Sequence, residues 1–203
     1  VDAVVMCGGR GTRLESPHEK PLHPIAGRPM VDRVLAAVDE SDVETAYAAV
    51  SPNAPETREH LADRDGVRTI ETAGDGYVAD LTTLLDRPAV EPPILTVAAD
   101  LPLLSGPAID RVLDRYDGAA AGAGAPSLTV AVPVALKRRL GASIDSRLEP
   151  NPHLAPTGVN VVGTTHRTMT DVSYDPRLAV NVNRRADADV AADRLAGRDD
   201  PCA

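Results

Sequence analysis

Short apolar runs alternate with helix-period segments along most of the chain. Residues 3–6 form a continuous apolar run, the pattern of a strand buried on both faces. In residues 29–38, Met30, Val34, Leu35 and Val38 recur at helical spacing, and Pro29 suits the first turn. Residues 45–50 read as a strand, and 55–62 as a helix with Thr57, Arg58 and Glu59 on its wet side. A strand over 67–70, a helix over 78–85, a strand over 94–99 and a helix over 108–116 follow. The segment GAAAGAGAP (118–126) reads as a long surface connection, not a domain boundary, because a strand over 128–132 follows at once. Strands over 159–162 and 178–182 and a closing helix over 186–195 complete the pattern, with no internal repeat. This order predicts one α/β domain over 1–203: a three-layer αβα architecture with a mostly parallel central sheet. Such sheets bind ligands beyond the carboxyl ends of their strands. Three chemistry-bearing segments fall at such ends: residues 8–13, 51–53 and Asp100. They are expected to share one site.

Composition narrows the picture. The 203 residues include no Phe, no Trp and four Tyr, so the core must be packed from Val, Leu, Ala, Ile and Pro. A net charge of -9 argues against a nucleic-acid partner, because a phosphate backbone wants a basic face. Asp outnumbers Glu 21 to 9, and Arg outnumbers Lys 19 to 2. An acidic, lysine-poor, alanine-rich chain fits a high-salt, halophilic cytoplasm; GC-rich coding bias favours the same residues. Cys7 and Cys202 suggest no disulfide framework and fit a reducing compartment. No apolar run approaches about 18 residues and no signal-peptide pattern opens the chain, so a soluble cytoplasmic protein without a membrane partner is expected.

The stretch VVMCGGRGTRL (4–14) raises the chemical question. Three glycines in four positions cost conformational entropy, so a chain keeps them where the backbone must approach a ligand or take positive φ. A Walker-type loop is absent, and Leu14 stands where a dinucleotide fingerprint needs a small residue. A loop that wraps a nucleoside triphosphate with backbone N–H groups remains, followed by Arg10, Arg13 and Lys20. In a chain that uses Arg almost everywhere, a lysine beside such a loop suggests that a compact point charge is wanted.

Gly8-Gly9-Arg10-Gly11-Thr12-Arg13, then Lys20-Pro21, resembles the signature loop of nucleotidyltransferases with a Rossmann-like, glycosyltransferase-A-like fold. That group includes sugar-phosphate nucleotidyltransferases, molybdenum-cofactor guanylyltransferases and archaeal adenosylcobinamide-phosphate guanylyltransferases, and the loop alone does not choose among them. The segments SPNAPET (51–57), ETAGDGYVADL (71–81), VAADLPLL (97–104), PTGVNVV (156–162) and VNVN (180–183) together resemble the archaeal cobinamide-phosphate family over nearly the whole chain. The resemblance implies transfer of GMP from GTP to a corrinoid phosphate, with release of pyrophosphate. A silent GTP-sensing module is the alternative of another class; the presence of Arg13, Lys20 and Asp100 together speaks against it.

The same resemblance implies roles. Backbone amides of Gly8, Gly9, Arg10, Gly11 and Thr12 would cradle the triphosphate, Arg13 would neutralise the departing pyrophosphate, and Lys20 would meet the α-phosphate. Asp100, at the end of its strand, would hold Mg²⁺ together with Asn183 or its same-face neighbour Asn181; a turn-capping role for Asp100 stays open. Ser51, Asn53, Thr72, Gly74 and Gly76 are guanine-pocket candidates. Asp80 either accepts from guanine N1 and N2 or lies as a charge on a helix surface. Tyr77, Gly158 and Asn160 are expected at the corrinoid lip. His18, His23, His60, His153 and His166 have no metal-ligand spacing. A homodimer is the family-like expectation.

Overall fold

β1 (Asp2–Met6) lies inside a seven-stranded sheet, its middle residues buried on both faces. In a computed structural model of the protein, which describes residues 1–9, 11–120 and 124–197, β1 pairs in parallel with β4 (Ala46–Val50) and β6 (Ile94–Ala98). β5 (Val67–Glu71) extends the parallel half beyond β4. On the other side β8 (Leu154–Val162) runs antiparallel to both β6 and β7 (Ser127–Pro133), and β9 (Thr168–Val172) pairs in parallel with β7. The strand order is β5-β4-β1-β6-β8-β7-β9. A two-residue hairpin, β2 (Pro24–Ile25) with β3 (Arg28–Pro29), leads into α1 (Met30–Asp39).

Side-chain alternation sets the layers. Ala3 and Val5 of β1 join a core with Val34 and Leu35 of α1 and with Ile109 and Val112 of α4 (Gly106–Ala120); Leu61 of α2 (Pro55–Ala62) closes it. Val4 points the other way, to Tyr47, Ala49, Ile94 and Leu84, the last on α3 (Tyr77–Leu85). Helices thus cover both faces of a largely parallel sheet, the three-layer α/β architecture expected. The core is built from small and branched aliphatics, with Tyr47 and Tyr116 the buried aromatics among the described residues.

Several expectations need correcting. Residues 178–182 form no strand: a 3₁₀ turn covers Pro176–Leu178, and the residues after it carry no regular secondary structure and lie outside the sheet. The apolar positions there have another use. Val180 and Val182 pack with Leu14, Ile25, Met30 and Ala191 in a separate cluster beneath the strand ends. The expected connection at 118–126 begins as helix, because α4 continues through Ala120 on good helix-forming alanine; residues 121–123 lie outside the described residues. Thr57 is fully buried rather than wet. β9 and the seven-residue α5 (Val134–Leu140) carry too little hydrophobic period to announce themselves. β8 starts well before residue 159, at Leu154, and contains Pro156 and Gly158. Among the described residues no helix is long and apolar enough to cross a membrane.

Candidate active site

The glycine loop leaves β1 at its carboxyl end and folds back over Lys20. Gly11 has φ +61°, and a Cβ there would stand 2.5 Å from the Lys20 Cβ, so both backbone conformation and close approach demand glycine. The Leu14 N–H donates to the Gly11 carbonyl at 3.0 Å, and the Leu14 side chain is buried in the cluster under the site. Lys20 opens a 3₁₀ turn, Lys20–Leu22. Just before it, Glu19 reaches across to the start of α2, whose own N-cap position, Ala54, offers no side-chain acceptor. The Glu19 carboxylate accepts from the N–H groups of Glu56 and Thr57 at 2.9 and 2.7 Å and from Thr57 Oγ1 at 2.6 Å. A residue remote in sequence therefore caps the helix, and the same bonds pin the loop that carries Lys20.

Lys20 Nζ donates to Asp100 Oδ2 at 2.5 Å and to Asn183 Oδ1 at 2.7 Å. Asp100 follows the end of β6, and its carbonyl accepts from the Val182 N–H, which holds that segment against the strand end. Asn181 donates from Nδ2 to Asp100 Oδ1 at 3.0 Å and to the Thr157 carbonyl at 2.8 Å. Asn181 and Asn183 thus both reach the Lys20–Asp100 pair, although the segment that carries them is not a strand. Asn181 Oδ1 in turn accepts from Lys137 Nζ at 3.0 Å, and Lys137 also donates to the Ala179 carbonyl at 2.9 Å. Burial pulls the Lys137 ammonium below the ordinary lysine range, against the opposing fields of Asp100, Asp187 and Asp145. Both lysines of the chain therefore meet in one network around Asp100.

Arg13 pairs with Asp145 at 2.9 Å, and Arg184 shares the same carboxylate oxygen at 2.7 Å. Asp187, in the first turn of α6 (Arg185–Leu195), is buried and accepts from the N–H groups of Asn183, Arg184 and Ser143 and from Ser143 Oγ. It ties the turn after α5 to the segment carrying Asn183.

Three cavities open around this network. One of about 220 Å³ is lined by Gly8, Gly9, Lys20, Tyr77, Asp80 and Asp100. Another of about 240 Å³ lies along Gly9, Gly11, Thr12, Arg13, Lys20 and Asn183. The largest, about 510 Å³, has Arg13, Lys137, Ser143, Gly158 and Asn160 in its wall. Tyr77 and Asp100 line both the first and the largest. The Tyr77 hydroxyl is hydrogen-bonded to Thr96 Oγ1 at 2.9 Å and accepts from Asn160 Nδ2 at 3.3 Å, so its ring stands as a partition.

The guanine-pocket candidates divide. Asp80 is buried, which removes its reading as a helix-surface charge; its Oδ1 accepts from the Gly74 N–H at 2.8 Å. Asn53 Nδ2 donates to the Gly74 carbonyl, Ser51 Oγ to the Gly8 carbonyl and Thr72 Oγ1 to the Val50 carbonyl. These three side chains brace the loops, whereas Gly76, Tyr77 and Asp80 face the 220 Å³ cavity. Arg10 lies outside the described residues. Sequence reasoning missed Lys137, Asp145, Glu19 and Asp187. Only Lys137 carried a usable signal, as the second of two lysines. Among the described residues no group of three or more His, Cys, Asp or Glu side chains converges.

The family described as "MobA-like NTP transferase domain" matches residues 3–154. Adenosylcobinamide-phosphate guanylyltransferase of Methanocaldococcus jannaschii is 30% identical over 201 residues, covering 94% of this chain and 95% of that protein. The bifunctional protein GlmU of Latilactobacillus sakei is 31% identical over 135 residues, which span 65% of this chain but 28% of GlmU. Among solved structures, a nucleotidyl transferase from Methanothermobacter has a TM-score of 0.68 at 18% identity, covering 98% of each chain. The CMP:2-keto-3-deoxy-manno-octonic acid synthetase complexed with CTP has a TM-score of 0.65 at 15% identity, covering 97% of this chain and 98% of that one.

Proposed function

The chain belongs to the MobA-like NTP transferase family and is a nucleotidyltransferase, and on that premise we propose that it transfers GMP from GTP to adenosylcobinamide phosphate, giving adenosylcobinamide-GDP and pyrophosphate. One observation carries the choice of substrates: the likeness to the Methanocaldococcus guanylyltransferase runs nearly end to end in both proteins.

The chemistry follows from the residues. An oxygen of the acceptor phosphate forms a new bond to the α-phosphorus of GTP, and the bond from that phosphorus to the β-phosphate oxygen breaks, its electron pair leaving with pyrophosphate. The attacking oxygen is already anionic near neutral pH, so no general base is needed. The obstacle is repulsion between two anions, and it is met by position and positive charge. The amides of Gly8, Gly9, Gly11 and Thr12 receive the triphosphate, Arg13 meets the leaving pyrophosphate and Lys20 the α-phosphate.

Asp100 and Asn183 are the proposed Mg²⁺ ligands. Their oxygens already converge on one cation, the Lys20 ammonium. One carboxylate and one amide oxygen suit an ion that keeps several waters and takes its other ligands from phosphates. Bound there, Mg²⁺ would neutralise charge on the triphosphate. Asp80, held near Gly8 and Gly76, is the proposed acceptor for guanine N1 and N2, and Tyr77, Gly158 and Asn160 form the corrinoid lip.

The test is pyrophosphate release from GTP with Mg²⁺ in high-salt buffer, with adenosylcobinamide phosphate and molybdopterin as parallel acceptors. Release only with the corrinoid is expected. Release only with molybdopterin, or with neither, would overturn the assignment.

A further inference from the structure

Lys137 has an electrostatic problem that its neighbours do not solve. Its ammonium belongs to a side chain that is 4% exposed. Two of its three N–H groups meet neutral oxygens, the Ala179 carbonyl and Asn181 Oδ1. The surrounding carboxylates are engaged elsewhere: Asp100 by Lys20 and Asn181, Asp145 by Arg13 and Arg184, and Asp187 by backbone N–H groups and Ser143. Among the described residues none of them forms an ion pair with Lys137. A buried cation without a directly bonded anion is costly, and an anion bound in the cavity beside it would lower that cost.

The place of that ligand follows from the walls. Lys137 lines the 510 Å³ cavity with Arg13, Ser143, Ser146 and Asn160, on the far side of the Tyr77 partition from the cavity lined by Gly8, Gly9 and Asp80. Through Asn181 it is two hydrogen bonds from Asp100, and through Asp100 three from Lys20. We propose that Lys137 binds the phosphate of the acceptor and holds it facing the α-phosphate of the nucleotide. The two lysines then stand on opposite sides of Asp100, one toward each of the two anions that must meet. This rests on the reading that the acceptor is a phosphate monoester, but not on which one.

The composition supplies the experiment. With two lysines in the chain, ¹³Cε-lysine labelling gives two side-chain NMR signals, assigned by Lys20→Arg. The protein is loaded with Mg²⁺ and α,β-methylene-GTP and then titrated with inorganic phosphate. The nucleotide analogue is expected to move the Lys20 signal, and phosphate to move the Lys137 signal. Lys137→Gln is expected to weaken phosphate binding about 10–100-fold, the range for loss of one charge-assisted hydrogen bond, while analogue affinity stays within about 2-fold. Phosphate that leaves the Lys137 signal in place, or that binds the variant as well as the parent, would overturn the inference. The labelled parent protein answers the first point even if the variant fails to fold. If the Lys137 signal responds to phosphate while adenosylcobinamide phosphate supports no pyrophosphate release, the identity of the acceptor falls and the role of Lys137 stands.

Discussion

Lys20 is held by two oxygens that a bound cation would also use, and the loop above it can close only because residue 11 has no Cβ. Lys20→Ala removes the positive charge proposed to meet the α-phosphate, so turnover is expected to fall roughly 10²–10³-fold. GTP affinity, measured by calorimetry, should stay largely intact because the loop amides remain; unchanged turnover would remove Lys20 from the chemistry. Cys7 is the opposite case, a reactive group silenced. Burial pushes its thiol up to about 12, and its Sγ lies 3.6 Å from the Val5 carbonyl. The thiolate is the nucleophile, so alkylation of Cys7 in the folded protein should stay negligible between about pH 8 and pH 10, where an exposed thiol ionises. Peptide mass spectrometry reads this directly, and rapid labelling of Cys7 without unfolding would contradict it.

Helix α2 begins where Glu19 caps it, so one carboxylate serves both an element and the loop beside it. Glu19→Ala leaves two helix N–H groups and the Thr57 hydroxyl without their acceptor. A loss of about 2 kcal/mol is expected, or roughly 4–8 °C in Tm for a chain of this length. Glu19→Gln, which keeps an acceptor, should recover part of it; equal melting of the Ala variant and the parent would dismiss the cap. Such a contact is not legible in one dimension, because Glu19 and Thr57 are joined only by folding. What was legible had a local cause. The apolar runs at 3–6 and 94–99 announce parallel strands because both of their faces are buried, and the glycine at 11 announces a close approach because the chain there takes positive φ and passes against Lys20. Residues 178–182 were misread because apolar alternation reports burial and not hydrogen bonding: Val180 and Val182 are buried, but by Leu14 and Ile25 rather than by a neighbouring strand. Lys137 escaped notice because a cationic seven-residue helix, VALKRRL, looks like surface until α5 is placed against the strand ends.

At the scale of the molecule, the acidic composition makes its own demand. With 30 carboxylates against 21 basic side chains, mutual repulsion weakens the folded state at low ionic strength, and salt screens it. We propose that this composition is an adaptation to high salt and expect the Tm to rise from low to molar KCl; a Tm that falls over that range would point to coding bias instead. The sheet itself joins two unlike halves. β5, β4, β1 and β6 run in one direction and carry the glycine loop, Ser51 and Asp100 at their ends, whereas β8 runs against β6 and brings Gly158 and Asn160 to the same edge from the opposite sense. The reversal puts a seam in the sheet between β6 and β8. The turn between α5 and β8 crosses that seam: its Asp145 pairs with Arg13 of the glycine loop, and its Ser143 is tied through Asp187 to the segment carrying Asn183. A change in that turn would therefore be felt on both sides of the seam at once.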